Sequence, residues 1–365
     1  MIASYNLVYA ATAQQSEGND IKKAKNLQKF NHPIYETVII DEAARVNPGD
    51  LMIPMSQASR RIILVGDHRQ LPHIYDEEIF ENLRDNGNDV GKEVVKISMF
   101  QYLKGKAEEL SKIDKIPRTI TLDAQYRMHP ELGDFVNANF YEPYGEGFLS
   151  PLSAEKFAQK IYDKPYMWVN LKSICGNEEK RGTSRVRECE ADYIVNKLRE
   201  YILSEDGKDL SYGVITFYSA QAKLIKRKLK DLDISDRVRV GSVDAFQGME
   251  FDVIFLSVVR THTKEPSFNH SILNMDMTGC DTESQEYKEW HDYVDEIGMR
   301  YYGFLTSENR LCVALSRQKK LLIVVGDPTI FSKGNWLTVA EKCVPALKNF
   351  YELCETRGAV IDVEA

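Results

Sequence analysis

No apolar run in the 365-residue sequence approaches the length of a bilayer-crossing helix, and the opening residues Met1 to Asn6 carry neither the basic flank nor the apolar stretch of a secretory signal. A soluble, intracellular chain, cytoplasmic or nuclear and with no membrane partner, is the expectation. Positive charge is also short: 47 Lys and Arg stand against 55 Asp and Glu, a formal net charge of -8. No global field therefore draws in nucleic acid, and any such binding has to come from a local groove. The six cysteines, Cys175, Cys189, Cys280, Cys312, Cys343 and Cys354, form no C-x-x-C pair and have no histidines at zinc-finger spacing, so they read as reduced thiols. Internal repeats and low-complexity tracts are missing as well. With 43% hydrophobic and 10% aromatic residues, the chain can bury the cores of two ordinary domains.

Short apolar runs alternate with helical patterns throughout. The runs are Leu7 to Ala10, Thr37 to Ile40, Ile62 to Val65, Met167 to Val169, Val214 to Phe217, Val238 to Val240, Val253 to Leu256 and Leu321 to Val325. Consecutive apolar positions suit strands covered on both faces in a parallel sheet. Helices are expected at about Pro130 to Phe140, Glu188 to Leu203, Ala220 to Leu232, Ser307 to Ser316 and Trp336 to Cys354. Alternation of this kind means α/β, with ligands at the carboxyl ends of the strands. A polar stretch from Tyr75 to Lys96 and a charged one from Lys104 to Pro117 put a domain boundary near Arg118, giving units 1–118 and 119–365. The second unit carries an acidic insertion at about 263–303. Within it Trp290, Tyr293, Val294, Ile297 and Tyr301 fall at helical spacing, as in a surface helix packing its own stripe on the domain.

Several strand ends carry chemistry. Val38-Ile39-Ile40 runs into Asp41 and Glu42, which can hold Mg²⁺ on a nucleotide and polarise an attacking water; an acidic helix cap is the plainer alternative. Ile62 to Val65 runs into Gly66-Asp67-His68-Arg69-Gln70, where Gln70 can sense a phosphate without adding charge, or where Gly and Asp simply make a turn. Arg127 precedes a Pro-initiated helix, a rigid mount for a guanidinium. After Val240 come Gly241, Ser242, Val243, Asp244, Ala245, Phe246, Gln247 and Gly248, which offer backbone N–H groups to a phosphate, and Glu250 follows to meet a ribose or metal. Arg310 and Arg317 lie two turns apart on one expected helix face.

Taken in order, DEAA, GDHRQLPH, QYRMHP, GSVDAFQGME and NRLCVALSR resemble motifs II to VI of the superfamily 1 helicases of the Upf1-like group, over about Leu7 to Val325. The resemblance implies two RecA-like α/β domains with mainly parallel sheets, ATP and Mg²⁺ as cofactors, and translocation on single-stranded DNA or RNA. It implies Asp41 for Mg²⁺, Glu42 for water activation and Gln70 for the γ-phosphate. Arg127 and Arg317 become arginine fingers that matter more for turnover than for stability, and Gly248, Glu250 and Arg310 become nucleotide contacts. Thr216, Tyr218, Gln221 and Ser242 stand where the family touches the nucleic-acid backbone. Departures at His73, Phe217 and Cys312 remove no charged group.

The larger departure is that no G-x-x-x-x-G-K-[ST] phosphate loop occurs anywhere in the sequence. The first RecA-like domain is therefore expected to be incomplete, with the loop on a preceding segment or on a partner chain. A non-catalytic half of a split or degenerate helicase, binding nucleic acid or a protein, is the competing reading. No further cluster of acids with a lysine points to a nuclease.

Overall fold

The computed structural model describes residues 8–19, 35–73, 98–172, 175–230, 232–262, 264–282 and 284–363. The expected polar separator Tyr75 to Lys96, and Leu7, Thr263 and Glu283, lie outside the described residues. The chain divides into two compact units, Met1–Thr121 and Leu122–Ala365.

The first unit is built on strands β1 (Tyr35–Ile40) and β2 (Ala58–Leu64), joined through helix α1 (Pro48–Met55). Asn47 caps α1 by accepting the Asp50 N–H at 2.9 Å, and Pro48 opens it where no N–H is needed. The strands pair in parallel, with Ile39 opposite Ile63 and Ile40 opposite Leu64. Val38, Ile40 and Leu64 pack with Ala43, Leu51, Met55 and with Met99 and Phe100 of helix α2 (Met99–Asp114), a helix that the charge of this stretch conceals in the sequence. Side chains alternate along a strand, so Ile39, Ile63 and Val65 share the other face. That face is exposed, at 66%, 38% and 41% respectively. Parallel sheets normally carry cover on both faces. The expected strand at Leu7 to Ala10 does not form over Val8–Ala10, which are exposed, and the Tyr9 ring meets Tyr35 edge to face at 6.2 Å instead.

The second unit opens with helix α3 (Pro130–Phe140) and holds a six-stranded sheet in the order β10–β3–β9–β8–β6–β7, every pairing parallel. Its strands are β3 (Tyr166–Asn170), β6 (Tyr212–Thr216), β7 (Val238–Ser242), β8 (Phe251–Ser257), β9 (Gln318–Gly326) and β10 (Val360–Asp362); β4 (Glu179–Arg181) and β5 (Ser184–Val186) make a separate antiparallel hairpin. One face packs Val214, Val253, Phe255 and Ile323 against helices α4 (Glu188–Leu203) and α5 (Ser219–Lys230). On the other, Trp168 meets Phe331 and Tyr351 edge to face at 5.7 and 5.3 Å. Cover on both faces is why these strands read as unbroken apolar runs.

The helix expected from Trp336 to Cys354 is two. It follows α6 (Gln285–Tyr301) and α7 (Glu308–Ala314) and divides into α8 (Gly334–Cys343) and α9 (Pro345–Thr356), because Pro345 lacks the N–H that would continue α8 and suits the first turn of a new helix. The acidic insertion behaves as a surface helix: Val294 and Ile297 of α6 are buried, and the Tyr301 ring meets Trp336 edge to face at 5.3 Å. Among the described residues no helix is long and apolar enough to cross a membrane.

Candidate active site

In the first unit, β1 delivers Asp41 and Glu42 to the carboxyl end of the sheet, both exposed. Glu42 adopts a left-handed backbone, φ 53°, and its N–H donates to Asp41 Oδ1 at 2.9 Å. The loop then returns to β2. Ala43 N–H donates to the Val65 carbonyl and Val65 N–H to the Ile40 carbonyl, each at 2.8 Å. Gly66 permits the close approach, since a Cβ there would lie 2.9 Å from the Ala44 backbone nitrogen. Beyond it, the Asp67 carboxylate accepts Arg69 N–H at 2.9 Å and the Gln70 amide at 2.7 Å. Asp67, which reads in the sequence only as part of a turn, is thus the residue that aims Gln70, and the D-x-x-Q spacing is the signal for it. Asp41, Glu42 and Gln70 share the strand-end region where α/β sheets bind ligands.

In the second unit, Gln125 builds the Arg127 loop. Its Oε1 accepts the N–H groups of Arg127 and Met128 at 2.9 and 2.8 Å, and its Nε2 donates to Ser150 Oγ at 3.0 Å. His129 caps α3 through Nδ1, which accepts Glu131 N–H at 3.3 Å; burial lowers its pKa, against the opposing charges of Glu131 and Asp134. Arg127 Nε donates to Glu250 Oε2 at 3.1 Å, and Lys319 Nζ stands 3.5 Å from Glu250 Oε1. Partial burial pushes the Glu250 carboxyl up, yet the Arg127 hydrogen bond and the Lys319 and Arg127 charges together outweigh it and the net shift is downward. Glu250, expected as a nucleotide contact, is here the anchor of Arg127. Gly248 has φ 76° with open space on its Cβ side.

Arg310 sets Nη2 3.5 Å from Asp244 Oδ1 and lies over the Phe304 ring at 5.1 Å. Arg317 is 1% exposed, with Nη2 donating to Ser316 Oγ at 2.8 Å. The expectation that its removal leaves stability untouched fails on that burial, because a large side chain enclosed by protein leaves a void when truncated.

The four expected nucleic-acid contacts divide. Register puts Ser242, Thr216 and Ser257 side by side at the carboxyl ends of β7, β6 and β8, and of these Ser242 alone is part-exposed. Thr216, Tyr218 and Gln221 are buried. Gln221 Oε1 accepts Arg187 N–H at 2.9 Å while its Nε2 donates to the Arg187 carbonyl and to Ser257 Oγ at 3.0 and 3.1 Å. Its amide hydrogens are consumed inside the fold, which makes it a positioning residue rather than a backbone contact. Tyr218 packs beside Phe304 at 5.7 Å.

A family model described as an AAA domain matches residues 95–329, and a second model of the same description matches residues 11–77. The chain belongs to this AAA-domain family. Its relatives identify it as an Upf1-like superfamily 1 helicase region. It is 30% identical to ATP-dependent helicase NAM7 of Saccharomyces cerevisiae over 82% of this chain and 26% of that protein. With Helicase sen1 of Schizosaccharomyces pombe it shares 27% identity over 80% of this chain and 14% of that one. The chain thus spans about a quarter or less of the length of these relatives. Among solved structures, the helicase nonstructural protein 10 of an arterivirus in complex with DNA aligns over 80% of this chain and 39% of its own, with 15% identity and a TM-score of 0.33.

Proposed function

We propose that this chain supplies motifs II to VI of an ATP-dependent helicase that couples NTP hydrolysis to movement on single-stranded nucleic acid. The observation that carries the reading is the stitching of the two strand-end loops of the first unit, Ala43 to Val65 and Val65 to Ile40, which holds Asp41, Glu42 and the Asp67-aimed Gln70 at one end of one sheet. Asp41 offers a single exposed carboxylate, which suits Mg²⁺ held mainly by phosphates and water. Bound there, Mg²⁺ and ATP would supply the phosphoanhydride and its charge neutralisation. Glu42 would take the proton of the attacking water, Gln70 would respond to the γ-phosphate, and Arg127 and Arg317 would stabilise transition-state charge. Gly248 and Arg310 would stand beside the nucleotide, with Glu250 holding Arg127 in readiness, and Ser242 would touch the nucleic-acid backbone.

The phosphate cradle comes, in this reading, from polypeptide outside these 365 residues. The absence of G-x-x-x-x-G-K-[ST] supports this, as does the exposed Ile39, Ile63 and Val65 face of the two-stranded sheet, which a further strand and helix would cover. The test measures nucleic-acid-stimulated ATP hydrolysis by the chain alone and when joined to a strand–phosphate loop–helix segment. Little or no hydrolysis alone and restoration on joining are expected. Robust hydrolysis by the chain alone would overturn the reading.

A further inference from the structure

The chain is acidic overall, yet one flank of the second unit is not. On α5, Lys223, Lys226, Arg227 and Lys230 are all exposed and, at 100° per residue, fall within an arc of about 100°. Lys228 points to another side of the helix, where Glu188 and Asp192 neutralise it at 3.0 and 2.7 Å. Beside this stripe runs β7, which pairs with β6 alone and so forms an edge of the sheet. Between helix and strand lies a groove of about 410 Å³, with Leu229, Val238 and Val240 beneath and Lys226, Arg227, Lys230 and Arg239 lining it.

Position decides what such a groove can hold. β7 ends at Ser242, the part-exposed hydroxyl proposed above to touch nucleic acid, and the groove opens at Val238 to Val240 on the same strand. At about 3.3 Å per residue the distance is on the order of 10 Å. A strand leaving Ser242 along this edge meets four cations at once. Beside its four cations the groove is lined by one neutral hydrogen-bonding side chain, Ser235, and by apolar groups, a composition dominated by positive charge that suits a phosphate backbone of any sequence. An acidic polypeptide could answer the charge, but it would not account for the continuity with Ser242.

We propose that the Lys226, Arg227, Lys230 and Arg239 groove is a second nucleic-acid contact, gripping the phosphates of the single strand after it passes Ser242. The inference rests on the helicase reading and names where the emerging strand goes. Its test measures binding of labelled oligo(dT) and oligo(U) to the full chain between about 50 and 200 mM salt. The variant carries Lys226→Ala, Arg227→Ala, Lys230→Ala and Arg239→Ala together. A control of equal charge change carries Lys156→Ala, Lys160→Ala, Lys180→Ala and Lys342→Ala, and thermal melts confirm that both fold. The expected result is a salt slope reduced by about 0.7 for each phosphate that is no longer neutralised, roughly 2 to 3 in all, in the groove variant alone. Equal reductions in both variants, or none in either, would overturn the groove. So would oligonucleotide binding that persists unchanged in the groove variant while polyglutamate binding disappears, since the groove would then be a protein-docking site. Failure of the wild-type chain to bind either oligonucleotide would sink the helicase reading itself, and the groove with it.

Discussion

Glu190 holds Val259 in a backbone conformation that valine rarely adopts. Val259 has φ 70°, and its N–H donates to both carboxylate oxygens of Glu190 at 3.0 and 3.1 Å. A β-branched residue in the left-handed region is strained and persists only where its surroundings over-determine it. They do so here. The same carboxylate accepts Ser257 Oγ at 2.6 Å and faces Arg187 Nη1 at 3.1 Å, with both ion-pair partners fully buried. Arg187 directs three further donors, Nε and both Nη2 hydrogens, to the carbonyls of Gly176, Leu171 and Lys172. One network therefore ties the ends of β3, β8 and the first turn of α4 together, directly behind the row of hydroxyls that ends in Ser242.

Breaking this network from the acid side is expected to be severe. Glu190→Gln keeps the shape but leaves Arg187 charged and buried without a counter-ion, a change that costs about 3–5 kcal/mol. Urea unfolding followed by tryptophan fluorescence measures it. A loss below about 1 kcal/mol would show that the pair is dispensable to the fold.

Gln221 separates a positioning role from a contact role. Gln221→Leu strands the backbone N–H of Arg187, at roughly 1–3 kcal/mol for a buried group left unpaired, while the Arg187 carbonyl still accepts Ala191 N–H at 3.3 Å and the Ser257 hydroxyl still donates to Glu190 at 2.6 Å. Stability should therefore fall by about 1–3 kcal/mol, while oligonucleotide affinity per folded molecule stays close to wild type. An affinity collapse in a variant that melts normally would return Gln221 to the nucleic-acid surface.

The sheet of the second unit is readable in the sequence because Val253 to Leu256 and Leu321 to Val325 are apolar at every position, the mark of cover on both faces. β10 is not: three residues, Val360, Ile361 and Asp362, become a strand only because β3 lies alongside. Helix boundaries at Pro130 and Glu188 are legible from local signals, whereas the break at Pro345 is hidden within a longer apolar pattern. In the site, Asp41, Glu42 and Gln70 are legible because a strand end and its first polar residues are neighbours in sequence. The burial of Gln221 and Arg317 is not, since the partners that enclose Gln221, Arg187 and Ser257, lie 34 and 36 residues away. The left-handed turn at Val259 has no sequence signal either, because valine there contradicts its own preference.

A pH dependence follows from His129. The ring must be neutral to accept Glu131 N–H, and burial holds its pKa below the ordinary value of 6.5. A depressed histidine contributes stability that is complete above about pH 6.5 and is lost as the pH falls through the folded-state value. His129→Asn keeps a good capping oxygen and cannot titrate. Thermal melts at several pH values between about 8 and 5 should show a shallower acid-side decline in the variant than in the wild type. His262, also lowered by burial first and by nearby arginines, supplies part of what remains. Parallel declines in the two proteins would exclude His129 as a source.

For the assembled enzyme with its phosphate loop, Glu42→Gln is the sharpest test of chemistry. The amide keeps the size of the side chain and loses the base, so ATP should still bind while turnover falls by about 10² to 10⁴. Because Glu42 is exposed and the Ala43 to Val65 bond is made by backbone, the melting temperature should hold. Near-wild-type turnover would leave Glu42 as an acidic turn residue and nothing more.

Arg317 combines two roles that a single alanine cannot separate. Its burial means that Arg317→Ala empties a large side chain from packed surroundings, at about 2–5 kcal/mol, and a fall in activity would then report unfolding as readily as impaired catalysis. Arg317→Lys retains the charge and most of the stem but lacks the planar fork, so it should fold and still lose its hold on the transition state. In the assembled enzyme, turnover per folded molecule of the lysine variant is expected to fall towards the roughly 10³-fold loss typical of a missing arginine finger. Arg310→Ala is the internal comparison. Its guanidinium meets Asp244 at 3.5 Å and the Phe304 ring at 5.1 Å on a part-exposed surface, interactions that each contribute no more than about 1 kcal/mol. It should therefore melt near wild type. Melts and single-turnover rates on the three variants decide: if Arg317→Lys keeps full turnover once folded, the guanidinium serves the packing of the second unit and the finger must be Arg127 alone.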